Sequence, residues 1–352
     1  CDSAGDCVLC LAPLPARAGN RASALKGLVR RNEFGIFIAL LVMIAVVAAL
    51  NPRAFFQAYS INLWVFGFSL IGLLAIGETF VILTGGIDLA PGSLIALTGV
   101  AAAMLTNAFG GMNPWLAIGL STAITLVLGV IVGFYHSFYI NRLGVPPFII
   151  TLGTLIIARG VAELMTHGST VTGMPGQFTA IGSSGSGSVP GLPFLPIAGV
   201  VFAVVAIAAH YISVRTSLGR HIYAVGGNLQ AAHLSGVNVA GVRAFCYAAS
   251  GLLAAVVGVI YASNVNSGDP KAGFSYEMTA IAAVVIGGTS LAGGVGTIVG
   301  TVLGAAIMGL LPLGLTFIGV ESWWQSITTG VVVVLAVTLD SLRRIRRERQ
   351  HH

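Results

Sequence analysis

Residues 89–141 read LAPGSLIALTGVAAAMLTNAFGGMNPWLAIGLSTAITLVLGVIVGFYHSFYIN, fifty-three residues without one Asp, Glu, Lys or Arg. A helix crosses the hydrocarbon core of a bilayer with about 20 residues, so this stretch holds two crossings. The turn formers Asn107-Ala108-Phe109-Gly110-Gly111-Met112-Asn113-Pro114 separate them. Measured outward from here, the other long charge-free stretches are 34–52, 54–77, 143–158, 164–214, 244–268, 278–320 and 322–339. The stretch 278–320 holds two further crossings, with Gly287-Gly288 and Gly293-Gly294 between them. In 164–214 a polar Gly/Ser/Pro segment precedes one crossing, from Pro196 to Val214. With one crossing in each of the others, the chain is expected to form ten transmembrane helices.

Composition points the same way. Of 352 residues, 17 are Lys or Arg and 11 are Asp or Glu, so 8% are charged, against roughly 25% in soluble domains. That is too few charges to solvate the surface of so large a globule, which excludes a soluble enzyme, a disordered chain and a nucleic-acid partner. The 56% apolar residues and 47 glycines imply an all-α polytopic protein in a lipid bilayer, with close helix contacts built on small residues. Fourteen of the 17 basic residues fall on one side of the ten-helix topology: Arg17, Arg21, Lys26, Arg30 and Arg31 before the first crossing, Arg142, Arg215, Arg220 and Arg243 in loops, and Arg343, Arg344, Arg346, Arg347 and Arg349 at the end. Arg53 and Lys271 lie opposite. The positive-inside rule then places both termini in the cytoplasm. The expected organisation is a disordered cytoplasmic tail over 1–32, a transmembrane domain over 33–341 with a cytoplasmic loop at 215–243, and a basic tail over 342–352.

Catalytic chemistry is missing. Lys26 and Lys271 are the only lysines, and neither completes a G-x-x-x-x-G-K-[ST] phosphate loop. Cys1, Cys7 and Cys10 form a lone Cys-x-x-Cys with no second pair, and Cys246 reads as a small buried apolar residue. No catalytic, cofactor or metal site is expected, so uphill transport would draw its energy from an ion gradient or from another subunit.

Charges inside crossings cost about 2.5 kcal/mol or more each and mark functional candidates. Glu78 and Asp88 flank the join between the second and third crossings, beside Gly85, Gly86 and Ser93. These five residues read as a partly unwound substrate path or gate. The other reading of Asp88 is a cap on the third helix, with Pro91 in its first turn. Arg159 and Glu163, four apart on one helix, read as a structural ion pair. Gly296, Gly300 and Gly304 put three glycines on one face for close packing. Trp323 and Trp324 suit the aromatic belt at the outer surface. The pattern Gly85-Gly86-x-x-Leu89-Ala90-x-Gly92 recurs as Gly287-Gly288-x-x-Leu291-Ala292-x-Gly294, and a parallel repeat requires both copies to face the cytoplasm.

In the loop 215–243, Asn228 is a suitable N-cap for a short helix over 229–234, which Gly236 can end in the left-handed conformation. Such a helix can dock into a partner's groove or rest on the lipid surface. Here the residues resemble a known family. Thr216-Ser217-Leu218-Gly219-Arg220, Tyr223-Ala224-Val225-Gly226-Gly227-Asn228 and Ala231-Ala232-x-Leu234-Ser235-Gly236-Val237-Asn238 are similar to the coupling loop of permease subunits of ribose-type ABC sugar importers. The resemblance extends through Gly85-Gly86-Ile87-Asp88-Leu89 and residues 280–294, and covers about 34–341. It implies ten helices per subunit in a bacterial cytoplasmic membrane, a second permease, two ATPase subunits that bind the ATP, and an external sugar-binding protein. It also implies that the ATPase pushes on 219–236, including Gly219, Arg220, Gly226, Gly227, Asn228, Ala231, Ala232 and Gly236. The outer segments 166–195 and those around Asp269, Lys271 and Glu277 would receive the binding protein. The chain departs from the family at Ala90-Pro91, where Ser-Val is usual, and at Glu78, where the residue is usually apolar.

The reading is a permease that moves a monosaccharide or polyol with energy from a separate ATPase. An ion-driven transporter or channel acting alone is the alternative, with the intramembrane charges as its relay. An intramembrane enzyme lacks paired catalytic residues. Cysteines placed at 287–294 are expected to react with a membrane-impermeant thiol reagent from the cytoplasmic face only. Reaction from outside would mean that the second glycine copy is inverted.

Overall fold

The computed structural model describes residues 18–182, 188–189 and 192–349. Cys1, Cys7, Cys10 and Arg17 lie outside the described residues. Thirteen α-helices run along the described chain: α1 Ala18–Leu50, α2 Pro52–Phe55, α3 Ala58–Leu83, α4 Pro91–Ala108, α5 Pro114–Arg142, α6 Pro147–Thr166, α7 Ile197–Arg215, α8 Ser217–Gly227, α9 Leu229–Leu234, α10 Val239–Val265, α11 Tyr276–Ile286, α12 Ile298–Phe317 and α13 Ser322–Arg349. A 3₁₀ turn, Gly176–Ile181, and a small antiparallel pair, β1 Ser188–Val189 with β2 Leu192–Pro196, interrupt the link between α6 and α7.

The expected crossings correspond in order to α1, α3, α4, α5, α6, α7, α10, α11, α12 and α13. Eight helices among the described residues are long and apolar enough to cross a membrane, and α13 adds an apolar stretch over 322–338. The departure is α11. Its 11 residues reach only about 16 Å at 1.5 Å per residue, about half of a hydrocarbon core.

What precedes α11 explains its length. Helix α10 ends at Asn266 in the left-handed conformation, and Gly268 pairs with Val171, each amide bonding the other's carbonyl at 2.9 Å. The sequence Gly268-Asp269-Pro270 cannot continue a helix easily. The chain instead turns back along α4 without helix, reaching from Gly268, which lies against Val100 and Ala103, to Gly273, which lies against Ile95 and the Gly92 carbonyl. Glu277, expected in an outer segment, therefore lies buried in the first turn of α11.

Glycines set how close the central helices come. Gly129 of α5 and Gly251 of α10 each face the other's carbonyl, and Gly258 of α10 packs on Ile95 and Thr98 of α4. Gly300 and Gly304 of α12 lie against the carbonyls of Gly287 and Ala283 at the end of α11. Gly296 does not share their face. It precedes α12, whose N-cap is Thr297, and packs on the Thr289 side chain. A Thr79–Thr301 hydroxyl contact of 2.7 Å joins α3 to α12.

Helix α1 begins at Ala18, so the part of the N-terminal tail from 18 to 32, expected to be disordered, is helical; Ala22, Ala24, Leu25 and Lys26 are good helix formers. Contacts at its middle and just past its end fix its direction. The Thr297 hydroxyl donates to Glu33 Oε1 at 2.7 Å, and Asn51 Nδ2 donates to the Phe317 carbonyl at 3.3 Å, so α1 runs parallel to α12. Trp323 and Trp324 are exposed at the start of α13. That helix continues through Arg349, carrying the basic end of the chain with it.

Candidate functional site

Two breaks in helix meet at one end of the bundle. Leu83 ends α3, and residues 84–90 pass to α4 without helix; Ile286 ends α11, and 287–297 pass to α12. The amide of Gly294 donates to the Leu83 carbonyl at 3.0 Å. Gly293, at φ +87°, lies against the backbone of Gly85, itself at φ +79°. The left-handed region costs a residue with Cβ strain that glycine avoids. The two copies of the glycine pattern thus touch and share one side of the molecule.

Helix α8 ends in this junction. Gly226 lies between the Leu83 carbonyl and the Gly294 amide with no room for a Cβ, and the Tyr223 hydroxyl donates to the Gly296 carbonyl at 2.9 Å. Burial pushes the Tyr223 phenol up from its ordinary pKa, which keeps the proton it donates. At the other end, the Thr216 hydroxyl accepts from the Gly219 amide at 3.2 Å, and Gly219 packs on the carbonyls of Ile212 and Ser213. Sequence reasoning missed α8. Its signals were Thr216 as an N-cap and the apolar pair Ile222 and Val225, both buried. The short helix expected over 229–234 is α9, where Asn228 accepts from the Ala231 amide at 2.9 Å and Gly236 follows at φ +83°. Ala232 is buried, while Arg220, Gly227, Asn228, Ala231 and Gly236 are exposed. Gly227, grouped with Gly226 from the sequence, has open space where a side chain would point; the tight position is Gly226 alone.

Beneath the junction lies a closed polar cluster. Asp88 is fully buried: Oδ1 accepts from the Ala90 amide at 3.0 Å and Oδ2 from the Ser250 hydroxyl at 2.8 Å. Asp88 therefore closes the unwound turn from inside, and Ser93 adds a 3.0 Å bond from its hydroxyl to the Ala90 carbonyl. His136 Nδ1 stands 3.9 Å from Asp88 Oδ1, and its Nε2 shares a 2.9 Å bond with Thr154. Tyr247 places its hydroxyl against Gly86. Glu78, on α3, is fully buried with no hydrogen-bond partner for either oxygen, although the Asp88 amide is nearby. The structure brings Glu78, Gly86, Asp88 and Ser93 together in the interior, with Gly85 exposed beside them. His136, Tyr247 and Ser250 were not singled out, although a histidine inside an apolar span is itself a signal.

Arg159 does not form the expected pair with Glu163. Its guanidinium donates to the carbonyls of Pro270 at 2.8 Å, Ala272 at 2.7 Å and Gly92 at 3.4 Å. Spacing of four on a helix permits a pair, but here the unwound carbonyls take the fork of donors instead. Among the described residues no cluster of three or more His, Cys, Asp or Glu could hold a metal, and Cys246 is buried and free.

A family described as "branched-chain amino acid transport system / permease component" matches residues 59–337. The ribose import permease RbsC of Escherichia coli K12 is 43% identical over 309 residues, covering 87% of this chain and 93% of the relative. The galactose/methyl galactoside import permease MglC of the same organism is 35% identical, covering 90% and 96%. The xylose transport system permease XylH of Haemophilus influenzae is 32% identical, covering 89% and 97%. No solved structure matches significantly.

Replacing Arg159 by Ala leaves two carbonyls in the unwound segment without their donor. At roughly 1–3 kcal/mol for each unsatisfied group, stability in detergent is expected to fall by about 2–6 kcal/mol, with protease cleavage appearing within 266–275. Glu163→Gln is expected to change stability by less than about 0.5 kcal/mol. Equal losses for the two variants would restore the ion pair.

Proposed function

The chain belongs to the family of branched-chain amino acid transport system permease components and is a multi-pass membrane permease of the sugar-import type; on that premise we propose how it works and with whom. It is the non-catalytic, membrane-spanning subunit of an ATP-driven importer in a bacterial cytoplasmic membrane, with both termini cytoplasmic. The distribution of basic residues supports that orientation. Its partners are an ATPase subunit that holds the ATP, an external binding protein that delivers a monosaccharide or polyol, and a second permease, the solute passing between the two permeases.

The observation that carries the reading is the junction at Gly226. Exposed residues of α8 and α9 offer a surface at one end of the bundle, and α8 runs from that surface to the point where 84–90 and 287–297 touch. A push on α8 has no slack to absorb it there. Closure of the ATPase pair would reach both unwound loops together and reopen the bundle toward the outside.

A second reading rests on the buried Glu78, whose unpartnered oxygens lie near Asp88, which in turn faces His136, an order that suits a proton relay. In vesicles, uptake by the isolated chain that an ionophore abolishes would favour it. The importer reading is tested by reconstitution with its ATPase and binding protein. ATP-driven uptake of D-ribose, D-xylose or D-galactose is expected, with Gly226→Ala lowering it at least tenfold and Gly227→Ala having little effect. Wild-type uptake by Gly226→Ala would disprove the coupling route.

A further inference from the structure

Between α6 and the segment that re-enters before α11 lies a cavity of about 410 Å³ lined by Arg159, Glu163, Lys271, Ser275 and Glu277. That is within the about 300–1,000 Å³ typical of small-molecule pockets. Arg159 lies roughly 18 Å along α6 from its start, at 1.5 Å per residue, near mid-bilayer depth. Glu163, one turn further on, is exposed. It stands about 24 Å along the helix, three residues before its end, and an exposed carboxylate within a crossing faces water or protein rather than hydrocarbon. The cavity it lines therefore opens away from lipid, toward water or a neighbouring subunit.

The side chains in it are committed unequally. Arg159 is fixed by its carbonyls. Glu277 is only 8% exposed, its carboxylate rests against Gly92, and among the described residues no other residue donates a hydrogen bond to it. Two cations and two carboxylates cancel, so the cavity has no bias toward an anion or a cation. It offers acceptors at Glu277 and Glu163, donors at Lys271 and the unoccupied positions of Arg159, and an apolar wall at Phe274, which is 78% exposed. Neutral solutes that present several hydroxyls and an apolar face match that set.

We infer that this cavity is a hydroxyl-recognising subsite on the permease itself, in which Glu277 accepts from sugar hydroxyls and helps to select what passes. The inference rests on the sugar-import reading. Selection then does not lie with the binding protein alone, because the permease tests the solute again at mid-membrane depth, at the start of a half-helix.

The test uses the complete transporter in vesicles with one binding protein throughout. Glu277→Gln is expected to raise the apparent KM about tenfold or more, the factor carried by a hydrogen bond to a charged group. Its rate relative to wild type is expected to differ among D-ribose, D-xylose and D-galactose. An unchanged KM, or an equal fall in maximal rate for every sugar, would overturn the subsite. A second readout needs no turnover. With the four native cysteines replaced, Ser275→Cys is expected to react with a water-soluble thiol reagent and to be protected by the transported sugar. Reaction without protection would also overturn it. Absence of uptake of all three sugars by the wild-type complex would overturn the import reading and the subsite with it.

Discussion

A backbone group inside a bilayer has no water to bond, so every departure from helix there must find its partners within the protein. Among the described residues, two such departures, at 84–90 and at 267–275, each have their own charged side chain. Asp88 takes an amide of the first turn. Arg159 serves carbonyls of the second, together with one from the start of α4. Asp88 and Arg159 thus have structural tasks, and a single missing donor or acceptor in such a place costs roughly 1–3 kcal/mol. Glu78 and Glu277 stand apart, since among the described residues no side chain donates a hydrogen bond to either carboxylate.

The second constraint is steric. Where backbone meets backbone, as at Gly129 with Gly251 or at Gly226 with Leu83 and Gly294, a single methyl would force the elements apart. Close contact of this kind transmits displacement, because packed interfaces move as units rather than deforming continuously. Helices α8 and α9 and the unwound loops are therefore parts of one mechanical element. The polar cluster of Asp88, His136 and Ser250 sits directly behind it.

Most of the architecture was legible from the spacing of charges alone. Ten apolar helices fall where eight charge-free stretches, two of them long enough for two crossings, predict them. The half-length of α11 was not, because residues 278–286 are as apolar as any crossing, and the break lies upstream at Gly268-Asp269-Pro270. Arg159 was misread for a related reason: periodicity along one helix finds Glu163 but cannot see carbonyls that an unwound segment brings from more than a hundred residues away. The loop 215–243 was half legible. Asn228 and Gly236 announce α9, whereas the cap of α8 at Thr216 merges with the end of α7. That Gly226 rather than Gly227 is the tight position depends on the Leu83 carbonyl, and no local pattern encodes it.

The central claim is that α8 and the two unwound loops move as one. Hydrogen–deuterium exchange on the whole transporter, nucleotide-free and then ATP-bound, tests it directly. The account requires exchange in 217–227, 84–90 and 287–297 to change together, with the Gly294 amide following its bond to Leu83. A change confined to 217–227, with both loops exchanging as before, would contradict it.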